Sequence, residues 1–417
     1  MSGQPLIFSI FGQDHSLFEC ISDPRISVRW FNQSDQYIPD ALVLCRPEAP
    51  QKVDYWRGVP DRLWLSVAGG RTKLVLDASP EGLRVADMGA GLQRIHRFLH
   101  ERGIRRSDVA YVTQDRMFEA DYRALCSRVG ENPMHVLVYD YFVQRLAMEL
   151  PKNGAQLYEQ RLRAFEDAGA TRERVFLSLN YTPRPNKLIF LLSLIEHGLW
   201  DEGTISFGGF EWRGNGSDSM NHLGKQMRLL PGFEDLGWRL AGHLEALHAK
   251  GRITFALGDD PRKYVKKTYP ASGLAEYLTT WFSVVTETEM GDRINRLTEK
   301  SLKPLLNFHP MLVLGNPFTL ELVRRYGFET FGEMFDESYD EEPDPRRRFE
   351  LVFAQLQRFC RQDRERLPQI VGAVSEKLRF NAWCGLVDLP KRFRKKWQPW
   401  FIEALLKRWD VKSMADG

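Results

Sequence analysis

Two glutamates and a threonine–glutamate–lysine triplet lie close together in the sequence and could jointly bind a nucleotide. Glu287 and Glu289 follow a run of apolar residues. After a polar loop, Thr298, Glu299 and Lys300 begin a predicted helix with Thr298 as its N-cap. A carboxylate at a strand end can accept hydrogen bonds from both ribose hydroxyls, and a lysine beside unpaired backbone N–H groups can neutralise a pyrophosphate. The same residues also fit a capped, solvent-exposed helix start, so local chemistry leaves both interpretations open.

A second group of polar residues follows another apolar run and opens another predicted helix. Asn180, Arg184 and Lys187 stand there, and arginine can donate two hydrogen bonds to one phosphate. A loop that ends at a helix N-terminus suits an anion, although a solvent-exposed turn with two surface cations is the alternative. Ser206 at the next strand end is a further candidate, as is Gly315, which permits close approach of a ligand to the backbone.

The elements that must position these residues alternate between strands and helices. Several predicted strands are apolar throughout and amphipathic helices separate them, which indicates parallel sheets covered on both faces. With 417 residues the chain is long enough for two cores. We therefore predict an α/β fold class: two Rossmann-like lobes, a cleft between them at the carboxyl ends of the strands, and C-terminal helices.

The predicted domain boundaries follow changes in composition. Residues 1–150 form the first lobe, and residues 151–172 form a polar, charged linker. Residues 173–350 form the second lobe, and residues 351–417 form a helical segment that is basic and aromatic at its end. The nucleotide candidates all fall in the second lobe, which leaves the first lobe for a second substrate.

A resemblance to a known family rests on the order of several motifs. The triplet 298–300 is followed by an amphipathic helix, a strand that runs from a proline to a glycine at 310–315, Gly-Phe-Glu-Thr-Phe at 327–331 and Asp-Glu-Ser-Tyr-Asp at 336–340. This order resembles the donor-site signature of α1,3-fucosyltransferases. It is also similar to bacterial two-lobed (GT-B) glycosyltransferases of lipopolysaccharide and capsule synthesis. The resemblance covers roughly residues 175–350.

The resemblance implies roles for the candidate residues. Glu299 would hold the ribose of a nucleotide sugar and Lys300 its diphosphate, with Glu287 and Glu289 as further candidates for the strand-end carboxylate. Related transferases carry basic residues at the start of the donor lobe, so Arg184 and Lys187 would contact phosphate. Residues 286–289 read Thr-Glu-Thr-Glu where the fucosyltransferases have Glu-Asn-Ser, so neither fucose nor guanine is implied. The first lobe would bind the acceptor, and no metal or other cofactor is expected.

Carboxylates at the strand ends of the first lobe are the candidate catalytic bases. An inverting transferase needs a base within hydrogen-bond reach of the acceptor hydroxyl. Asp77 ends an apolar strand and Glu81 follows it in a turn. Asp140 and Asp115 end other strands and compete for the same role. We expect Glu81 or Asp77 to be the base, and an aspartate turn with a helix-capping glutamate is the structural alternative.

Composition excludes several classes of protein. Hydrophobic content of 43% and charged content of 27% are typical of a globular chain, and a net charge of +3 is small for a nucleic-acid binder. The five cysteines are scattered without a CxxC pair, which argues against a disulfide framework or a zinc site and predicts a reducing cytoplasm. No signal peptide and no apolar stretch of the roughly 20 residues of a spanning helix is recognisable.

The end of the chain is both basic and aromatic. Residues 391–409 could lie on an anionic membrane face and bring the protein to a lipid-linked acceptor. Alternatively they form a last helix that packs back across the lobes, which we favour. The predicted location is therefore cytoplasmic, with peripheral contact at the inner membrane face as an option.

The predicted function is transfer of a sugar from a nucleotide-sugar donor to a glycan or lipid-linked acceptor of a bacterial surface polysaccharide. The resemblance implies an inverting, metal-independent reaction, and the small net charge predicts no nucleic-acid partner. A catalytically inactive two-lobed protein that binds a nucleotide or glycan is the alternative.

Overall fold

The computed structural model describes residues 4–12, 16–32, 35–45, 47, 56, 58–150, 153–168, 172–213, 216–254, 274–291 and 294–409. The chain divides into two compact units. Unit 1 contains Met1–Met148, Arg293–Arg296 and Lys391–Gly417. Unit 2 contains Glu149–Asp292 and Leu297–Pro390. Each unit has its own parallel β-sheet.

The sheet of unit 1 has six strands in the described part of the chain. They are β1 (Leu6–Phe11), β2 (Ile26–Trp30), β3 (Ala41–Cys45), β4 (Lys73–Asp77), β5 (Val109–Thr113) and β6 (His135–Val138). All are parallel, in the order β2-β1-β3-β4-β5-β6. The first helices of the unit are α1 (Asp61–Ala68), α2 (Val85–Glu101), α3 (Phe118–Val129) and α4 (Tyr141–Glu149). Strands β3, β4 and β5 are buried along their whole length, as expected for a sheet covered on both faces.

The sheet of unit 2 has four described strands. They are β7 (Arg174–Asn180), β8 (Gly203–Phe207), β9 (Thr280–Thr286) and β10 (Met311–Leu314), all parallel in the order β10-β9-β7-β8. The helices are α5 (Gly154–Asp167), α6 (Pro185–Glu196), α7 (Gly216–Arg228), α8 (Glu234–Leu240), α9 (Leu244–Ala249), α10 (Leu274–Leu278), α11 (Glu299–Leu306), α12 (Thr319–Arg325), α13 (Pro345–Arg361), α14 (Leu367–Ala373) and α15 (Ser375–Trp383). A π-helical turn, Cys384–Asp388, joins α15 to α16 (Leu389–Arg392), and a second, Phe393–Trp397, leads to α17 (Gln398–Arg408).

The predicted fold class is confirmed at the level of an α/β protein with parallel sheets, while the chain is divided differently from the predicted boundaries. Residues 151–172 contain α5, which belongs to unit 2 and buries Arg161 with a hydrogen bond to the Leu306 carbonyl at 2.9 Å. Residues 351–417 are shared between the units, with 391–417 in unit 1. A charged helix that buries one polar side chain resembles a linker in sequence, because all its residues except Gly154 and Arg161 are exposed or half-buried.

The last helix, α17, packs onto the core of unit 1. Phe401 is fully buried, with ring centroids 5.9 Å from Phe18 and 4.5 Å from Tyr139. Gln398 Nε2 donates to the Cys20 carbonyl at 2.8 Å. These contacts support the packing interpretation of the C-terminal segment. None of the helices in the described part of the chain has the length and apolarity needed to cross a bilayer.

Candidate functional site

Glu287 organises the start of α11 at the carboxyl end of β9. Its backbone N–H donates to the Leu314 carbonyl at 2.8 Å, and its side chain is buried. Thr298 Oγ1 donates to Oε2 of Glu287, and Ser301 Oγ donates to Oε1 at 2.6 Å. Both carboxylate oxygens therefore tie the helix start to the strand end. Glu287 therefore supports the structure of the site. That Glu287 also contacts a ribose stays a prediction.

Lys300 lies in the first turn of α11 and is held by oxygen atoms on several sides. Its Nζ is 3.0 Å from Thr288 Oγ1 and 3.2 Å from Thr298 Oγ1. It is also 3.3 Å from Glu299 Oε1 and 4.0 Å from Glu287 Oε2. Thr298 caps the helix as expected, since its Oγ1 accepts from the Lys300 N–H at 3.3 Å. The side chain remains 22% exposed, so the ammonium group is oriented and still accessible to an anion.

One carboxylate oxygen of Glu299 has no hydrogen-bond partner among the described residues. Burial opposes its ionisation, but Lys300 and Lys303 outweigh that effect and lower the pKa of Glu299 to about 2. Its Oε1 faces Lys300, whereas its Oε2 is buried and accepts no hydrogen bond from any residue that the structure describes. An ionised carboxylate with an unused oxygen at a sheet edge is suited to accept a hydroxyl hydrogen bond, as the ribose role requires.

Lys187, in the first turn of α6, is a buried ammonium group. Only 3% of it is exposed, and it forms no hydrogen bond or ion pair with a described residue. Burial lowers the pKa of Lys187 to about 7, helped by the nearby positive charges of Lys300 and Arg184 and only partly offset by Glu299. The carboxylates of Glu299 and Glu287 compensate this charge only in part, so an anion bound here would supply the missing negative charge.

A hydrogen bond joins the start of α6 to the end of β9. Asn186, next to Lys187, donates from Nδ2 to the Glu287 carbonyl at 3.1 Å. Arg184 is the N-cap residue of α6, and its side chain is exposed. We refer to Arg184, Lys187 and Lys300 as the cation cluster. Two helix N-termini and three cations thus meet at the carboxyl ends of β7 and β9, where parallel sheets bind their ligands.

Asn180, Ser206 and Gly315 have structural roles in this geometry. Asn180 is fully buried: its Nδ2 donates to Ser178 Oγ at 2.8 Å, its Oδ1 accepts from Thr286 Oγ1, and its N–H donates to Ser206 Oγ at 2.9 Å. A Cβ on Gly315 would lie 3.1 Å from Cγ of Glu287. These residues join neighbouring strand ends. Glu289 lies half-buried in the loop beyond Glu287.

Arg348 of α13 is a supporting residue that sequence reasoning missed. It is 2% exposed, and its guanidinium donates to three carbonyls: Gly315 at 2.9 Å, Met290 at 2.7 Å, and Glu342. It thereby fixes the loops that follow β9 and β10. In the sequence it stands in a run of three arginines, which is the usual appearance of a solvent-exposed helix face, so no local signal marks it.

Asp340, in the Asp-Glu-Ser-Tyr-Asp motif, holds the N-terminus of α12. Its carboxylate accepts from the Leu320 N–H at 3.0 Å and from the Glu321 N–H at 3.3 Å. Burial raises the pKa of Asp340 to about 6, although these N–H groups act in the opposite direction. The motif therefore shapes the second loop beside the sheet edge.

In unit 1, Asp77 is a buried anchor at the end of β4. Its Oδ2 accepts from Ser16 Oγ at 2.7 Å and from the Leu17 N–H at 2.8 Å. Its Oδ1 accepts from Ser79 Oγ at 2.6 Å and from the Ser79 N–H at 3.2 Å. Burial raises the pKa of Asp77 despite these donors. These four hydrogen bonds are sufficient to explain Asp77 as a structural residue, so its role as a catalytic base stays a prediction.

The other candidate bases differ in their surroundings. Glu81 is half-buried, and its carbonyl accepts from the Arg296 guanidinium. Asp140 forms a two-pronged ion pair with Arg116, with Nη1 at 2.9 Å from Oδ1 and Nη2 at 2.5 Å from Oδ2. Asp115, just beyond β5, is 1% exposed, and its Oδ1 accepts from the N–H groups of Asn295 at 2.9 Å and Met117 at 3.1 Å. Burial raises the pKa of Asp115 to about 6.

No group of three or more His, Cys, Asp or Glu side chains among the described residues is arranged to hold a metal ion. None of the protein-family models, curated proteins or solved structures compared with this chain matches it.

Proposed function

We propose that this protein is a GT-B-type glycosyltransferase that moves a sugar from a nucleotide-sugar donor to a glycan or lipid-linked acceptor of a bacterial surface polysaccharide. The observation that carries the proposal is the cation cluster beside the unused Glu299 oxygen. In this proposal unit 2 binds the donor and unit 1 the acceptor. The reaction is direct displacement at the anomeric carbon, with inversion and without a metal.

The cation cluster supplies the chemistry that the departing nucleoside diphosphate requires. As the bond between the anomeric carbon and the diphosphate breaks, negative charge grows on the leaving oxygen. Two hydroxyls hold the ammonium group of Lys300 in place, and the charge of Lys187 is only partly compensated by Glu299 and Glu287. Preorganised cations stabilise developing charge without rearranging during the reaction. Glu299 would position the donor through its ribose, and this role involves no proton transfer.

The competing proposal is a catalytically inactive protein that holds a nucleotide or a glycan. The same cluster would then bind its ligand without turnover. Release of nucleotide from a panel of nucleotide sugars, incubated with crude glycan acceptor, separates the two. If one nucleotide stabilises the protein against heat but none of the panel is turned over, the inactive binder is correct.

Replacing Lys300 by alanine tests the donor site. We expect the affinity for the preferred nucleoside diphosphate to fall about tenfold to a hundredfold, because one charge-assisted contact is lost. Thermal shift with UDP, GDP, dTDP, ADP and CMP identifies the preferred nucleotide, and calorimetric titration measures the loss. Lys225→Ala, at an exposed position of α7, is the matched control. Unchanged affinity in Lys300→Ala would remove the donor-site assignment.

The outer face of the C-terminal segment supports contact with an anionic membrane. Arg394, Lys395 and Lys396 are exposed, and Trp400 is 56% exposed although its neighbour Phe401 is buried. Basic side chains near an anionic bilayer each contribute about 1 kcal/mol, and tryptophan favours the interface. The membrane would bring the protein to a lipid-linked acceptor.

Vesicle co-sedimentation tests this contact. The triple change Arg394→Glu, Lys395→Glu and Lys396→Glu should abolish binding to vesicles rich in phosphatidylserine, and Trp400→Ser should weaken it. Point changes are preferable to deletion because α17 fills the core of unit 1. Trp238→Ser, at a position 64% exposed in unit 2, serves as the control. Equal sedimentation of every variant would contradict the membrane contact.

A further inference from the structure

Several buried polar atoms at the carboxyl end of β5 have no partner. Gln114 is fully buried, and neither its Nε2 nor its Oε1 is hydrogen-bonded to a described residue. The Oδ1 of Asn295 is also buried, with no partner among the described residues. Nine in ten or more buried polar groups in proteins are satisfied, so a group of exceptions in one place calls for an explanation.

These side chains belong to one cluster within unit 1. The Asn295 N–H donates to Asp115 Oδ1 at 2.9 Å, and the Arg116 N–H donates to the Asn295 carbonyl at 3.0 Å. Next to Asp115, Gln114 packs against the turn after β4, where a Cβ on Gly82 would lie 2.6 Å from its Cγ and 3.1 Å from Nη1 of Arg296. Residues 294–296 belong to unit 1, although the described residues before and after them in the chain belong to unit 2, and they complete the cluster.

Asp115 presents one oxygen to the same cluster. Both of its hydrogen bonds from other residues go to Oδ1, and Oδ2 accepts none from the described residues. The charged groups that face it are Arg296, from the segment 293–296, and Asp121, from α3. The neighbouring Arg116 is instead paired with Asp140. An amide N–H₂ and two amide oxygens therefore lack partners in one buried place, beside a carboxylate whose Oδ2 accepts no hydrogen bond from the described residues.

We infer that Gln114, Asp115 and Asn295 form a hydroxyl-binding subsite for the sugar acceptor, in which Asp115 accepts the proton of the attacking hydroxyl. Amides both donate to and accept from sugar hydroxyls, which explains why Gln114 and Asn295 are unsatisfied without a ligand. This inference rests on the proposed function, and it places Asp115 ahead of Glu81 and Asp77 as the base.

The proposed step is balanced as a single displacement. The acceptor oxygen forms a bond to the anomeric carbon while the bond from that carbon to the diphosphate breaks. The electron pair of the broken bond leaves with the nucleoside diphosphate, and the hydroxyl proton passes to Oδ2 of Asp115. Because burial raises the pKa of Asp115 to about 6, the group is ionised at neutral pH and more basic than an ordinary aspartate, as a general base requires.

The variant Asp115→Asn tests the proton transfer. We expect transfer to fall at least a hundredfold, while the nucleotide-induced thermal shift stays at the wild-type value because that response belongs to unit 2. Wild-type kcat/KM should decline below about pH 6 as Asp115 is protonated, and the residual activity of the variant should lose this acid limb. Asp61→Asn, at an exposed position of α1, is the control. Transfer within tenfold of wild type, with the acid limb retained, would overturn the assignment while leaving the transferase proposal intact.

A second experiment measures the binding of sugars to the subsite in the absence of a nucleotide sugar. Saturation-transfer NMR with a panel of methyl glycosides should give a signal for the wild type that is lost in Gln114→Leu and in Asn295→Ala. Gln114→Leu should also unfold at a higher temperature, since an apolar side chain replaces an unsatisfied amide. If the wild type gives no signal, or the variants keep it, the subsite is refuted. If the signal depends on these residues but no nucleotide sugar is turned over, the transferase proposal alone fails.

Discussion

Replacement of Lys187 by methionine is expected to stabilise the ligand-free protein and to destroy its response to nucleoside diphosphates. The ammonium group is buried and its charge is only partly compensated by Glu299 and Glu287, and methionine keeps the length of the side chain without the charge. We expect the free energy of unfolding to rise by about 2 kcal/mol at pH 6.5. This value is smaller than the one that the full shift of the Lys187 pKa would give. Thermal and denaturant unfolding measure the gain, and calorimetric titration measures the lost affinity.

The pH dependence of this gain has a definite sign. The pKa of Lys187 is about 7 in the folded protein, against its usual 10.5. The unfolded chain therefore binds more protons between these values, so wild-type stability rises with pH across that window. The penalty from Lys187 is complete below about pH 7 and disappears toward pH 10.5. The advantage of Lys187→Met should shrink in the same range.

Proton uptake gives an independent measurement on the wild type. A bound diphosphate should return the Lys187 pKa toward its usual value, so binding at pH 8 should take up a proton. Titrations in two buffers with different ionisation enthalpies measure that proton, and Lys187→Met should show none from this source. Lys225→Met at an exposed position is the control. A methionine variant that is less stable than wild type at pH 6.5 and still binds nucleotide would show that Lys187 serves the fold and not a ligand.

Replacement of Arg348 by methionine should lower the free energy of unfolding by about 3–5 kcal/mol, because three carbonyls lose their donor in a buried place. The guanidinium holds the carbonyls of Gly315, Met290 and Glu342 at once. Lysine should not rescue the variant, since one ammonium group does not reproduce the planar arrangement of donors. Chemical denaturation monitored by tryptophan fluorescence gives the change.

The neighbouring arginine supplies the control. Arg347 lies on the same helix with its side chain 60% exposed, and Arg347→Met should change stability by no more than about 0.5 kcal/mol. Similar losses for both variants would mean that the charge of the helix, and not the buried hydrogen bonds, is what matters. Arg348→Met should also weaken nucleotide binding, because the loops beyond β9 and β10 would no longer be fixed.

Local patterns in the sequence were sufficient for the parts of the site that begin helices. The N-cap Thr298 is recognisable from its residue type and position, and the parallel arrangement of strands brings Lys187 and Lys300 to the same sheet edge. Continuous apolar runs marked strands that are buried along their whole length. These features depend on near neighbours in the chain, whose spacing is visible in the sequence.

The residues that the sequence does not reveal are those whose hydrogen-bond partners, or lack of partners, depend on distant parts of the chain. Arg348 looks like part of an exposed charged face because its three acceptors are backbone carbonyls, which have no signature in the sequence. The sequence does not favour Asp115 among the candidate bases, because nothing nearby in the chain shows that Asn295 lies against it. The sequence favours Asp77 as a base because two of its four donors, Ser16 Oγ and the Leu17 N–H, come from a distant segment that spacing alone does not pair with it.

The discontinuity of unit 1 affects how the protein can be made. Its sheet is encoded entirely before residue 139, yet Phe401, Ile402 and Leu405, which are fully buried, are encoded near the end of the chain. During vectorial synthesis the ribosome therefore releases the apolar surface around Phe18 and Tyr139 long before its cover exists. Unit 1 then remains open to chaperones and proteases until α17 emerges. No single cut in the chain yields this unit whole, so expressing it alone would require joining its terminal segments through a redesigned connection.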